Sequence, residues 1–135
     1  MNIAEHIGNV FPKASSWGQD ADIVGNPNVM ELPGSIDLMA AVPAYMLWCT
    51  QHPDSAELVS DFTLAALAEY GRCKNPDNRY LNFRYLCSPN QLEVVVSFLE
   101  WAAQTFPFST PDMIDRALRN WRNTANISTG ARRSL

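Results

Sequence analysis

Hydrophobic positions recur at helical spacing in four stretches of the chain, and a fifth stretch is apolar on every side. Ile3, Ile7 and Val10 share one face of a short helix over 3–11. Asn2 and Glu5 stand at its start in a capping-box arrangement, and Pro12 ends it. Ser35–Gln51 follows a long connection, and from Leu38 to Cys49 it holds no charged residue. A helix apolar all round has no face to offer water and is buried, so the pattern places a helix over 36–51 at the centre of the fold. Ser35 suits its N-cap and Asp37 its first turn. Pro43 predicts either a kink or a restart there.

Three more helices are expected beyond it. Asp54-Ser55-Ala56-Glu57 reads as a capping box opening a helix over 55–70, with Leu58, Phe62, Ala65, Ala66 and Tyr70 inward and Gly71 as its stop. Ser88-Pro89-Asn90-Gln91 is a stronger start, with Ser at the N-cap, Pro at N1 and Gln at N3. The helix it opens runs to about Thr105, with Leu92, Val95, Val96, Leu99, Ala102, Ala103 and Phe106 on one face. Val94, Phe98 and Trp101 make a second apolar strip, so either another element covers that strip or a partner does. Thr110 and Pro111 open the last helix, with Met113, Ile114, Ala117, Leu118 and Trp121 inward. Asp112–Arg116 and Asp115–Arg119 are spaced as i,i+4 pairs. The connections at 12–34 and 72–87 read as irregular. Within the second, 80–86 is compatible with an extended segment or a single helical turn. The expectation is an all-α fold of about five helices in a single domain over 1–125, with a flexible tail over 126–135.

Composition narrows the function classes. The net charge is −4, which disfavours general binding to nucleic acid or anionic membranes. The charge is unevenly spread. Residues 1–71 hold nine acidic side chains and Lys13 alone, a balance of −8, whereas 72–135 hold nine basic and five acidic ones, a balance of +4. Three cysteines without a CxxC do not form a disulfide framework. The first ten residues lack the basic and apolar regions of a signal peptide. The longest apolar run, about twelve residues, is short of the roughly 20 needed to span a bilayer. A cytoplasmic protein with reduced thiols is expected.

No motif specifies a reaction. Cys49 and His52 are spaced as a nucleophile and base would be on one helical face, but Cys49 lies where a thiol is an inert core residue. Cys49, His52, Cys73 and Cys87 have the composition of a zinc site without its paired spacing. Glu57 with Asp61, and Glu93 with Glu100, read as solvated helix faces. The like-charged Glu57 and Asp61 call for a basic neighbour such as Arg72, Lys74, Arg79 or Arg84. Arg79-Tyr80 and Phe83-Arg84-Tyr85 interleave basic and aromatic residues as single-strand binders do, against which the acidic balance weighs. No phosphate loop, HExxH or GxSxG occurs. No catalytic residue, cofactor or metal is assigned.

Leu32-Pro33, Val42-Pro43-Ala44-Tyr45-Met46, and Leu86-Cys87-Ser88-Pro89-Asn90-Gln91 before Val95, Phe98, Leu99 and Glu100 resemble the pattern of a group of small bacterial helical proteins, a domain-of-unknown-function class. That pattern is a hydrophobic helix with a Leu-Pro-Ala-Tyr-Met type motif, an acidic helix, and a Leu-Thr-x-x-Gln type cap before a Val…Phe-Leu-Glu helix. The resemblance covers roughly 30–105 and departs at Val42 and at Cys87-Ser88. It brings no catalytic residue, and it implies a small acidic protein of the kind found beside toxin genes as an immunity protein. The resulting expectation is a non-catalytic binding module that occludes a cognate toxin with a basic surface. Asp20, Asp22, Glu31, Glu57 and Asp61 would supply charge, with Trp17 or Trp101 as anchors. The alternatives are self-association through Val94, Phe98 and Trp101, giving a weak homodimer in place of a monomer, and an enzyme with an unrecognised site.

Overall fold

The computed structural model describes residues 2–18, 20–106 and 111–134, with side chains in the last span described for 112–123. Among them are seven α-helices and no strand: α1 Ile3–Val10, α2 Asp20–Gly25, α3 Leu38–Gln51, α4 Val59–Arg72, α5 Phe83–Leu86, α6 Pro89–Thr105 and α7 Pro111–Ser134. Two 3-10 turns, Ala14–Ser16 and Val29–Glu31, lie beside α2. The fold is all-α, as the periodicity required. The connection over 12–34 is not irregular; its apolar residues Ala14, Ile23 and Val29 are buried by these short helical pieces. The stretch over 80–86 resolves as the single helical turn α5.

Each of the five longer helices packs on two others in a closed order, α1 on α3, α3 on α4, α4 on α7, α7 on α6 and α6 on α1. Phe83 of α5 stands inside this ring. Its ring centroid is 6.0 Å from Phe11, 5.6 Å from Tyr70 and 6.0 Å from Trp121, which come from the end of α1, from α4 and from α7. Nine of the fourteen α3 residues are buried, which explains why no polar stripe marks that helix. Its N-cap is Asp37, whose side chain accepts from the Met39 N–H at 3.0 Å, and not Ser35. Pro43 does not restart the helix. It lacks the N–H that would reach the Met39 carbonyl, and α3 continues past it as one element.

The two apolar strips of α6 follow from its place between α1 and α7. A helix with neighbours on two sides needs two dry faces. Val94 and Phe98 belong to the core, and Trp101 is half-buried between Phe98 and Phe106. The strip is therefore packing surface, and a partner would reach Val94 or Phe98 only by opening the core. Ala103 is exposed and Val96 half-buried, so the first face is narrower than the spacing suggested. The α6 cap forms as read. Ser88 accepts from the Gln91 N–H, and the Gln91 side chain accepts from the Ser88 N–H at 2.8 Å. The Gln91 amide also donates to the Val10 carbonyl at 2.8 Å and so ties this cap to the end of α1.

The start of α4 differs from its sequence signature. The Ser55 hydroxyl accepts from Glu57 N–H, two residues on, which makes a local turn and not a helix cap. The helix begins at Val59, and Leu58 is 55% exposed. Glu57 thus precedes the helix, and its like-charge relation to Asp61 does not arise there. The basic residues nearest in sequence are occupied elsewhere: Arg72 pairs with Glu69 at 3.0 Å, and Arg84 donates to the carbonyls of Tyr70 and Cys73. Gly71 does not stop α4; it lies inside the helix against Trp121. The Thr110 cap lies outside the described residues. Neither Asp112–Arg116 nor Asp115–Arg119 closes to an ion pair among them, whereas Arg122 reaches Glu100 of α6 at 3.1 Å. The α7 backbone is helical to Ser134, through most of the stretch read as a tail.

Candidate functional site

The chemistry-bearing side chains converge at the C-terminal end of α3. Trp48 and His52 are four apart, so their rings stack on one side of the helix, 4.2 Å between centroids and 18° between planes. A buried indole needs an acceptor for its N–H, and Trp48 Nε1 finds Asp20 Oδ1 of α2 at 2.5 Å. His52 Nδ1 lies 2.9 Å from the Trp48 carbonyl, which only accepts, so Nδ1 carries a proton. His52 Nε2 faces the same Asp20 oxygen at 3.3 Å, a contact that is an ion pair when the imidazole carries both protons.

These residues line a recess of about 330 Å³ with Ala14, Ser15, Trp17, Gly18, Ile23, Ala44, Leu47 and Gln51. Trp17 is half-buried, its ring 5.6 Å from that of Tyr45. Asp20 carries Trp48 and His52 on one oxygen, and its side chain is 65% exposed. Asp22 does not line the recess but lies beside Gly18, its Oδ2 4.0 Å from where a Cβ on Gly18 would lie. Gly18 takes φ +60, a left-handed conformation that suits glycine, and it turns the chain from Trp17 towards α2. Tyr45 donates to the Asn26 carbonyl at 2.5 Å. Burial and then the charge of Asp22 push its hydroxyl up to about 12. Among the described residues no Lys or Arg lines the recess. Lys13, the one basic residue before Arg72, is turned to Asp37 at 3.0 Å.

The structure therefore joins Trp17 and Asp20, leaves Asp22 outside the lining beside Gly18, and adds Trp48 and His52. The sequence singled out His52 only as a partner of Cys49 or a zinc ligand, and Trp48 drew no notice because it sits in the most apolar stretch. The one available signal was their i,i+4 spacing around a buried indole. Glu31, Glu57 and Asp61 are exposed but do not line the recess.

The other chemical candidates come apart. Cys49 is fully buried, and burial pushes its thiol up to about 11, tempered by the Ser60 and Thr63 hydroxyls; a thiol so held is a poor nucleophile. His52 is engaged with Trp48 and Asp20. No group of three or more His, Cys, Asp or Glu among the described residues is placed to hold a metal ion. The basic and aromatic residues near 79–85 pair with each other, Arg79 over Tyr80 and Arg84 over Tyr85, and Phe83 is buried. A second hollow, about 580 Å³ between α4 and α7, has Ala65, Ala68, Met113 and Ala117 among its lining, with both charge signs at its rim. It selects no ligand charge. None of the described helices is long and apolar enough to cross a membrane.

Compared with protein-family models, curated proteins and solved structures, the chain matches none. The resemblance to the small bacterial helical group rests on the residues that carry it.

Proposed function

We propose that this protein is a non-catalytic binding module whose docking face is the recess of Trp17, Asp20, Trp48 and His52. The observation that carries the reading is the meeting of two indoles and an exposed carboxylate around a cavity on the half of the chain where nine acidic residues face one lysine. An aromatic anchor beside fixed negative charge supplies both buried area and steering towards a basic surface. In its most specific form the module is a bacterial immunity-type protein, working in the reducing cytoplasm and occluding the basic active-site rim of a cognate toxin. The three free thiols accord with that compartment.

The test is calorimetric titration of the purified protein against the products of its neighbouring genes. A complex with one of them should weaken at least about 10-fold on Asp20→Lys with Asp22→Lys, and its association rate should fall with salt. Affinity unchanged by both reversals would remove this face from the interaction, and no complex with any neighbouring product would remove the immunity reading.

A further inference from the structure

We infer that the recess is a receptor for a single arginine side chain presented by a protein partner. The inference rests on the docking face proposed above and names the group that enters it.

Three features select a cation. Asp20 accepts the Trp48 N–H on Oδ1, the oxygen that His52 Nε2 also faces, which fixes the carboxylate and leaves Oδ2 without either contact. The recess opens beside Gln51 and His52, at the end of α3, where the last carbonyls concentrate the partial negative charge of the helix dipole. Among the described residues no Lys or Arg lines the recess, and with the neutral form of the lining His52 the Asp20 charge has no cation beside it there.

Two features favour guanidinium over ammonium. The half-buried Trp17 is one of two indoles that line the recess, and a planar, weakly hydrated guanidinium stacks on an indole face while donating in its own plane to a carboxylate. The cavity, about 330 Å³, has roughly the volume of ten waters. It admits the methylene stem with the head group, and the stem meets Ala44 and Leu47. His52 then serves as a positioning residue through its stack on Trp48, whose N–H holds Oδ1 of the carboxylate.

The experiment is an NMR titration of the indole N–H resonances of the intact protein with N-acetyl-arginine amide. The lysine and norleucine amides run in parallel as the ammonium and the uncharged probes. The Trp17 and Trp48 resonances should shift saturably with the arginine probe, with a Kd on the order of 10 mM, as a single stacked and paired side chain supports. The lysine probe should bind about 5-fold more weakly and the norleucine probe should not saturate. Asp20→Asn keeps an oxygen for the Trp48 N–H, so the fold and the indole position persist while saturable binding is lost. Equal shifts with all three probes, or an undiminished response in Asp20→Asn, would overturn the inference. So would a linear response up to about ten times that Kd. If the probe fails while a neighbouring gene product still binds in an Asp20-dependent way, the docking face stands and only the arginine assignment falls. If the probe binds and no partner complex forms, the recess stands and the immunity reading falls.

Discussion

Gly71→Ala and Gly8→Ala are the same chemical change, yet the structure predicts opposite signs. Both glycines lie inside helices, where alanine is favoured over glycine by about 1 kcal/mol. Around Gly8 nothing stands within 4 Å of a new Cβ. Gly8→Ala should therefore stabilise by about 0.5–1 kcal/mol. At Gly71 a new Cβ would stand 2.9 Å from Trp121 Nε1, 3.0 Å from Cδ1 and 3.4 Å from Asn120 Cβ. The indole has nowhere to retreat. It is fully buried, Phe83 lies edge-on at 6.0 Å, and its N–H donates to the Leu67 carbonyl at 2.9 Å. Overpacking of this kind costs about 1–3 kcal/mol. Displacing the indole far enough to break its hydrogen bond adds about 1–3 kcal/mol for a buried donor left unmade. Against the propensity gain of about 1 kcal/mol, the net is a destabilisation of about 1–5 kcal/mol for Gly71→Ala. Urea unfolding followed by tryptophan fluorescence measures both variants. With a slope of about 2 kcal/mol per molar, the midpoints should separate by about 1 M or more. A Gly71→Ala protein as stable as the parent would refute the close α4–α7 approach as the reason for this glycine.

Asp37 caps α3 and pairs with Lys13, so Asp37→Ala should cost about 1 kcal/mol for the cap plus up to about 1 for the exposed pair. Asp37→Asn keeps the cap acceptor and should lose only the second part. The hydrogen bond from Lys13 holds the Asp37 carboxyl below its ordinary value, against the opposing effect of partial burial. Its stabilising contribution is therefore present above the ordinary carboxylate value of about 4 and lost as pH falls through the lowered value; the gap between parent and Asp37→Asn should close as urea melts are carried further into acid. Cys73 and Cys87 are both half-buried, but burial pushes the Cys87 thiol up to about 12 and that of the buried Cys49 up to about 11, so a thiol reagent at neutral pH should label one equivalent quickly, at Cys73. Cys73→Ser should abolish that fast phase, and a fast phase that survives would place another thiol in reach of solvent. Gln91→Ala removes the α6 cap acceptor and the tie to the Val10 carbonyl, and should cost about 1–2 kcal/mol. Gln91→Glu should cost no less, because it sets a carboxylate against that carbonyl; equal stability of the Glu variant and the parent would show the tie to be idle.

Features decided within four residues were legible from the chain alone. Ser88, Pro89 and Gln91 set the start of α6 because a capping box is made by neighbours in sequence. Asn2 set α1 in the same way. The unbroken apolarity of 38–49 required a buried helix whatever its neighbours turned out to be. Other features belong to the tertiary structure because they depend on what arrives from far along the chain. Gly71 reads as a stop by its residue type and stands one residue before the end of α4, yet what requires glycine there is Trp121, fifty residues on, which needs its space. The Val94–Phe98 strip reads equally as interface or core, and only the placement of α6 between α1 and α7 makes it core. At the candidate site, Trp48 meets Asp20 across 28 residues. Periodicity reports which face of a helix is dry. Which carboxylate a buried indole finds there is set by the packing of α2 on α3, and no local pattern encodes that contact.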